Sequence, residues 1–222
     1  MTKRRPNFNL AVRALVRDIA ASMEEFGHVR AGRILVVAGE ARRASRGTVK
    51  PLAFRGGKSV DANGRRKPIV RVKGRRMLYC ITLRPLFFRL STPQARIETL
   101  MHELFHVSRR FDGTLHAGRR HAALGKDFSR RLRPLVRRYL KQCPAHLRAP
   151  FAHHGEVRVL QWLERPGPAY VPGGTRVRRV YSEDQLFYGV VRMVTPKTRK
   201  AAKAAKLARA GAKPAVKPPV VP

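Results

Sequence analysis

Acidic residues, cysteines and long apolar runs are scarce in this chain of 222 residues, and each shortage excludes a class of protein. There are 13 Asp and Glu against 49 Lys and Arg, so the formal net charge is +36 at pH 7. Two cysteines, Cys80 and Cys143, cannot build the disulfide framework of a small secreted domain, which favours the cytoplasm. Apolar runs such as residues 34–39 fall far short of the ~20 residues that span a bilayer, so we expect neither a membrane segment nor a signal peptide.

The basic charge has two sources. Residues 196–222 hold six Lys, two Arg and no acidic or aromatic residue, which is typical of a disordered basic tail. The first 195 residues still hold 41 Lys and Arg against 13 acidic residues, so the folded part is itself strongly basic. This charge favours nucleic acid as a partner, because each neutralised phosphate releases counterions, and association with the nucleoid would follow. Six arginines are candidate phosphate contacts, although a solvated basic surface explains them equally well: Arg71, Arg75, Arg76, Arg176, Arg178 and Arg179.

Apolar residues make up 43% of the chain, and their periodicity predicts an α+β domain with a substantial core. Helical spacing favours helices at residues 9–26, at 91–110 after a hydroxyl N-cap and a proline, and at 126–142. We expect strands at residues 33–38, 47–54, 67–72, 76–82, 156–162 and 188–194, with Pro51 marking an edge strand and residues 73–75 joining two paired strands. The expected organisation is a main domain at 1–145, a small β-rich extension at 146–195 and the tail at 196–222.

A candidate metal-binding motif lies on the helix predicted at residues 91–110. His102-Glu103-Leu104-Phe105-His106 is an H-E-x-x-H pattern, in which two imidazoles four residues apart share one helix face and can bind one metal ion. Glu103 lies beside them as a candidate general base. Random placement of eight His and eight Glu gives this pattern about 0.01 times in a chain of this length, so a polar helix face with fortuitous histidines is the weaker explanation.

A catalytic zinc site needs a third protein ligand and an open position for water. His116 comes three residues after Gly113 and could return over the helix, whereas His121 comes eight residues after it, at the entry to the next helix. Spacing alone does not choose between them.

Several segments resemble the phage-type zinc metallopeptidases, which are relatives of the SprT-like (Spartan) proteases. The similarity covers roughly residues 34–128. It rests on residues 102–106, the 111–113 turn and residues 121–128, and extends upstream to 33–37, 51–57 and 77–81; the metal motif is specific, and the strands are only suggestive. The resemblance favours His121 as the third ligand, because the family places its third histidine seven residues before an aromatic, here Phe128. The Arg-rich loop 115–120 departs from the family and carries His116, which stays the alternative.

The resemblance implies a zincin-like fold, with a small mixed or antiparallel sheet packed on helices that include the motif helix. It also implies a hydrolase in which His102, His106 and His121 bind Zn²⁺ and Glu103 assists attack of zinc-bound water on a peptide bond. The SprT-like relatives imply a protein substrate bound at or near nucleic acid, and the strand at 76–82 would pair with it. The alternative is a non-enzymatic, basic nucleic-acid-binding protein whose metal motif is structural or vestigial.

Overall fold

The protein, seen here as a computed structural model, is described for residues 5–40, 45–119, 127–173 and 178–195. Within these ranges helices and two sheets combine, which confirms the α+β class. The helices are α1 (Phe8–Ser22), α2 (Pro85–Arg89), α3 (Pro93–Phe105), α4 (Asp127–Gln142) and α5 (Ala145–Ala152). The strands are β1 (Ile34–Ala38), β2 (Gly47–Pro51), β3 (Ile69–Val72), β4 (Arg75–Arg76), β5 (Tyr79–Leu83), β6 (Gly155–Trp162), β7 (Val180–Tyr181) and β8 (Leu186–Met193). The predicted basic tail lies outside the described residues.

The larger sheet has the strand order β2-β5-β1-β6-β8. Its centre is parallel, since β1 runs parallel to β5 and β6, whereas β2 and β8 run antiparallel to their neighbours. Among the described residues β2 is therefore an edge strand, as its proline predicts. The seam between β1 and β6 is bridged by Asn9 of α1, whose side-chain amide donates to Val36 O (2.6 Å) and whose Oδ1 accepts from Leu160 N (2.8 Å).

The two faces of this sheet are covered differently. One face packs against the helices in the main apolar cluster, to which α1 contributes Val12, Leu15 and Ile19, all fully buried. The N-cap of α1 is Asn7, whose side chain accepts hydrogen bonds from the backbone N–H groups of Asn9 and Leu10. The opposite face carries a smaller cluster that includes Leu35, Val37 and Cys80 and is covered in part by the second sheet, with the order β4-β3-β7.

The strand predicted at residues 76–82 is divided between the two sheets. Arg75 and Arg76 pair with β3 in a hairpin, whereas Tyr79–Leu83 forms β5 of the larger sheet. Between them, Met77 donates its N–H to Val70 O and Leu78 donates its N–H to Arg33 O, so the chain crosses from one sheet to the other.

Residues 146–195, predicted to form a β-rich extension, contribute β6 and β8 to the larger sheet. All eight residues of β6 pair with β8, from Gly155 opposite Met193 to Trp162 opposite Leu186. The boundary at residue 145 therefore does not separate two sheets. The short helices α2 and α5 have no counterpart in the sequence prediction, because five and eight residues hold too little periodicity to detect.

Arg96 of α3 joins these parts of the fold. Its side chain is fully buried and donates to the backbone oxygens of Phe87 and Phe88 in α2, of Phe151 in α5 and of Val194 after β8, at 2.6–3.0 Å. Burial lowers the pKa of the guanidinium to about 10, which leaves it charged at neutral pH. Carbonyl groups near the C-terminal ends of two helices thus hold the cation in place of a carboxylate.

Within the described ranges, none of the helices combines the length and apolar character needed to cross a bilayer.

Candidate metal centre

The motif helix α3 is defined by strong local signals at its start. Thr92 is the N-cap, its hydroxyl accepts from Ala95 N at 3.2 Å, and Pro93 occupies the first helical position. Ile97, Leu100 and Leu104 are nearly fully buried against the sheet. The helix ends at Phe105, five residues before the predicted end, because the chain turns back to form an antiparallel bridge between Val107 and Leu115.

His102 and His106 project from the same face of α3, as their spacing predicts. Their Nε2 atoms lie 3.3 Å apart, and the two rings are nearly perpendicular, with centroids 5.0 Å apart. Two nitrogens that each lie 2.0–2.1 Å from one tetrahedral zinc ion would be about 3.3 Å apart. The pair therefore has the separation that a shared metal ion requires. His106 is buried, whereas His102 is partly exposed.

The second ring nitrogen of His106 is held by the backbone. Nδ1 lies 2.7 Å from Arg119 O, so it donates when the proton resides there, and Nε2 then keeps its lone pair. Arg119 is itself fixed on the end of α3, because its buried guanidinium stacks 4.2 Å from the Phe105 ring and donates to Phe105 O. Orienting a ligand histidine through a backbone carbonyl is typical of zinc sites.

Phe128, near the start of α4, packs on both imidazoles. Its ring centroid lies 4.6 Å from that of His102 and 4.8 Å from that of His106, the latter in a stacked arrangement. A ring contact on each imidazole restricts its rotation, which preorganises the pair.

Glu103 points between α3 and the edge strand β2. It is only 5% exposed, and a Cβ built on Gly47 would stand 3.2 Å from its Oε1 and 3.1 Å from Thr99 Cγ2. The absence of a side chain at Gly47 thus allows the close approach of α3 to β2. Burial raises the pKa of Glu103 to about 7, against the opposing effects of a hydrogen bond from the Val49 backbone and of the charge on Arg84. A carboxyl with a pKa near 7 can both accept and return a proton at neutral pH.

Of the two candidates for the third ligand, His116 and His121, the structure describes only the first. His116 is described, but within the described ranges no three His, Cys, Asp or Glu side chains form a group that could hold a metal ion, so His116 does not complete one with the pair. His121 lies outside the described residues. The residues that flank this segment, Arg119 and Phe128, both contact the histidine pair, the first through its carbonyl and the second through its ring.

The turn after α3 is built around Tyr79 and Asp112. Tyr79 is fully buried, and its hydroxyl donates to Thr114 O (2.8 Å) and accepts from Gly113 N (3.0 Å). Both hydrogen bonds of the Tyr79 hydroxyl therefore fix the turn. Partial burial raises the pKa of Asp112, but hydrogen bonds from Thr114 and from the Gly56 backbone outweigh it and hold the pKa below its ordinary value.

The predicted phosphate contacts lie away from the histidine pair, on the smaller sheet. Arg71 and Arg76 face each other across the β3–β4 hairpin next to Arg75, and Arg71 and Arg75 are exposed. Arg178 and Arg179 precede β7, which pairs with β3, and Arg178 forms an ion pair with Glu164 at 2.9 Å. Arg176 lies outside the described residues.

Two partners of the histidine pair could not be identified from the sequence. The Arg119 carbonyl is a backbone atom and has no residue signature, although its arginine falls in the Arg-rich loop noted above. Phe128 was noted only for its spacing from His121, and its contacts with both imidazoles depend on how α4 packs against α3.

Comparison of the chain with protein-family models, curated proteins and solved structures finds no match.

Proposed function

We propose that this protein is a zinc-dependent peptidase centred on His102, His106 and Glu103. The observation that carries the proposal is the histidine pair itself: Nε2 atoms 3.3 Å apart on one helix face, with Nδ1 of His106 held by a backbone carbonyl. Such an arrangement suits two neutral imidazole ligands of one ion. His121 is the proposed third ligand, since the segment that contains it is flanked on both sides by residues in contact with the pair.

Each residue of the proposed site has a separate role. The histidines would hold Zn²⁺, which when bound supplies an acidified water and polarises a peptide carbonyl. Glu103 would accept a proton from the attacking water on a carboxylate oxygen and return it to the leaving amine. Arg119 and Phe128 would keep His106 and His102 in the binding orientation.

The geometry of the sheet suggests where an extended peptide would bind. The strand predicted at residues 76–82 does not suit this role, because β5 is paired on both sides, with β1 and with β2, and cannot accept another strand. The edge strand β2 lies beside Glu103, with Gly47 in near contact with its carboxylate. We therefore assign the peptide to the outer edge of β2, which has no partner strand among the described residues and where main-chain hydrogen bonds would align it.

The test is to measure metal content and cleavage together. Purified protein should contain one Zn²⁺ per chain by plasma mass spectrometry and should degrade fluorescein-labelled casein, with and without added single-stranded DNA. Glu103→Gln should keep its zinc and lose cleavage by at least ~100-fold, because general acid–base catalysis contributes about 10²–10⁴.

Glu98→Gln is the matched control, since Glu98 is an exposed residue on the same helix. It should retain both zinc and cleavage. Protein that contains no stoichiometric zinc, or a Glu103→Gln variant that cleaves as fast as its parent, would contradict the proposal. If the chain is instead a non-enzymatic nucleic-acid-binding protein, neither the parent nor its variants should cleave casein.

A further inference from the structure

Two adjoining cavities lie at the part of the larger sheet that the helices and the second sheet leave open. The first, of about 520 Å³, lies on the face opposite α3, where Thr48 and Lys50 of β2 stand opposite Thr82 and Cys80 of β5. The second, of about 720 Å³, lies where the parallel strands β1, β5 and β6 end, beside Ala38, Thr82 and Trp162. Both volumes are within the range of ligand sites, and carboxyl ends of parallel strands are common places for them.

The cavities adjoin each other and share part of their lining, and together they are called the groove. Thr82, Trp162 and Arg165 border both of them, together with Glu40. Trp162 is the only tryptophan of the chain and is half-buried at this junction, with its ring edge-on to Tyr181 at 6.2 Å. An indole ring at the junction of two cavities offers a flat apolar surface next to solvent-filled space.

The lining of the groove is strongly basic. Glu40 is the one carboxylate among the described residues that line it, and six side chains are cationic: Lys50, Lys67, Arg84, Arg89, Arg165 and Arg192. Lys67 already donates to two backbone carbonyls, of Pro51 and Ala53, and therefore serves the fold as well. Arg89 and Arg165 are exposed and lie in different parts of the groove, so the positive charge extends along it rather than marking one point.

We propose that this groove binds single-stranded nucleic acid, with a base against Trp162 and phosphates along the arginines and lysines of its rim. An aromatic ring within a cationic channel is the arrangement by which single strands are held without sequence preference. The charge runs through both cavities, which fits several linked phosphates better than one mononucleotide. A duplex keeps its base faces stacked inside and could not place one against Trp162.

This site is distinct from the six arginines predicted from the sequence. Its residues come from β1, β2, β5, β6 and β8, from α2 and from the segments next to them, with the first cavity on the face of the sheet opposite Glu103 and the second at the strand ends. It does not depend on zinc, so chelation with EDTA should leave binding unchanged. Failure of the peptidase proposal would therefore leave this one standing, and the reverse also holds.

The experiment uses Trp162 as its own reporter, because no second tryptophan contributes to the emission. The full-length protein is titrated with a fluorescein-labelled 20-nucleotide oligo(dT), and anisotropy is recorded beside titrations of tryptophan emission with the unlabelled oligonucleotide. We expect saturable loss of Trp162 emission with the same midpoint as the anisotropy change. In Arg89→Gln/Arg165→Gln, the slope of log affinity against log salt should fall by about 1.4, since single strands contribute about 0.7 per phosphate contact.

Arg133→Gln/Arg137→Gln is the matched control, because it removes the same charge from exposed positions of α4. Its salt slope should equal that of the parent. Binding without any change in Trp162 emission would overturn the proposal, as would equal losses of slope in the two double variants. So would AMP, an oligo(dT) duplex with oligo(dA), or polyglutamate if any of them quenched Trp162 at the same concentration of charge as the single strand.

Discussion

The two faces of the larger sheet use polar residues in opposite ways. On the helix-covered face His106, Glu103 and Arg96 are buried, and each has an identified backbone partner: Arg119 O, the Val49 backbone and a set of four carbonyls. In the groove, which occupies part of the open face and the ends of the parallel strands, charged side chains such as Arg89 and Arg165 line cavities and reach solvent. Buried polar groups require fixed partners, whereas exposed ones do not. Substitutions on the first face should therefore disturb the fold or the metal, and those on the second should disturb binding alone.

The largest effect is expected at the proposed third ligand. His121→Ala should reduce zinc content from one ion per chain to less than about a tenth, because two imidazoles alone bind zinc far more weakly than three ligands. His116→Ala should keep a full complement of zinc. Metal analysis after dialysis against a weak chelator measures both, and zinc loss from the His116 variant alone would reverse the assignment.

The next largest effect concerns the buried cation of the helix-covered face. Arg96→Met should lower the free energy of unfolding by about 3 kcal/mol, since several buried carbonyls lose their donor at once. Arg137→Met, at an exposed position of α4, should change it by less than about 0.5 kcal/mol. Urea denaturation followed by circular dichroism compares the two, and equal small changes would show that the carbonyls find water or other donors.

A smaller effect is expected in the turn that follows the motif helix α3. Gly113 has φ of +85°, and a Cβ there would stand 2.5 Å from the Ala53 Cβ, whereas Gly64 has φ of +72° and open space around it. Both changes to Ala carry the cost of a left-handed conformation, about 1 kcal/mol, but only Gly113→Ala adds a steric overlap. Its loss of stability should be about twice that of Gly64→Ala. Equal melting temperatures for the two variants would mean that the turn moves freely away from Ala53.

The same turn should make stability depend on pH. The pKa of Asp112 is held below its ordinary value by hydrogen bonds to the carboxylate, so its contribution is present above the unfolded-state pKa and is lost as pH falls through the folded-state pKa. Asp112→Asn should therefore cost about 1 kcal/mol at pH 7 and progressively less as pH falls below the unfolded-state pKa. Urea midpoints of both proteins across this range measure the difference, and a constant gap would exclude ionisation as its cause.

The smallest effect on stability is expected in the groove. Arg89→Gln/Arg165→Gln should change the free energy of unfolding by less than about 0.5 kcal/mol, because both side chains are exposed. The contrast between the faces would break down if this variant unfolded as readily as Arg96→Met in the same urea titration.

Much of the fold was accessible from the sequence where the signal is local. The Thr92–Pro93 start of α3, the periodicity of α1 and α4, and the edge position of β2 were all predicted from neighbouring residues. Predictions were wrong where long-range pairing decided the outcome. The continuous strand at 76–82 is divided because Met77 and Leu78 bond to different sheets, and no residue in that segment marks the division.

By itself the sequence determined the α+β class and the excess of positive charge. It also determined the helix that carries H-E-x-x-H, with its apolar residues and its potential metal ligands. A helix repeat and a cap act within a few residues, so they can be read directly. Only the tertiary structure decided that a carbonyl 13 residues away orients His106, that among the described residues β2 rather than β5 is the edge strand, and that cations from β2, β8, α2 and three connecting segments line one groove around Trp162. These features join residues far apart in the chain, and their positions depend on packing that no local pattern encodes.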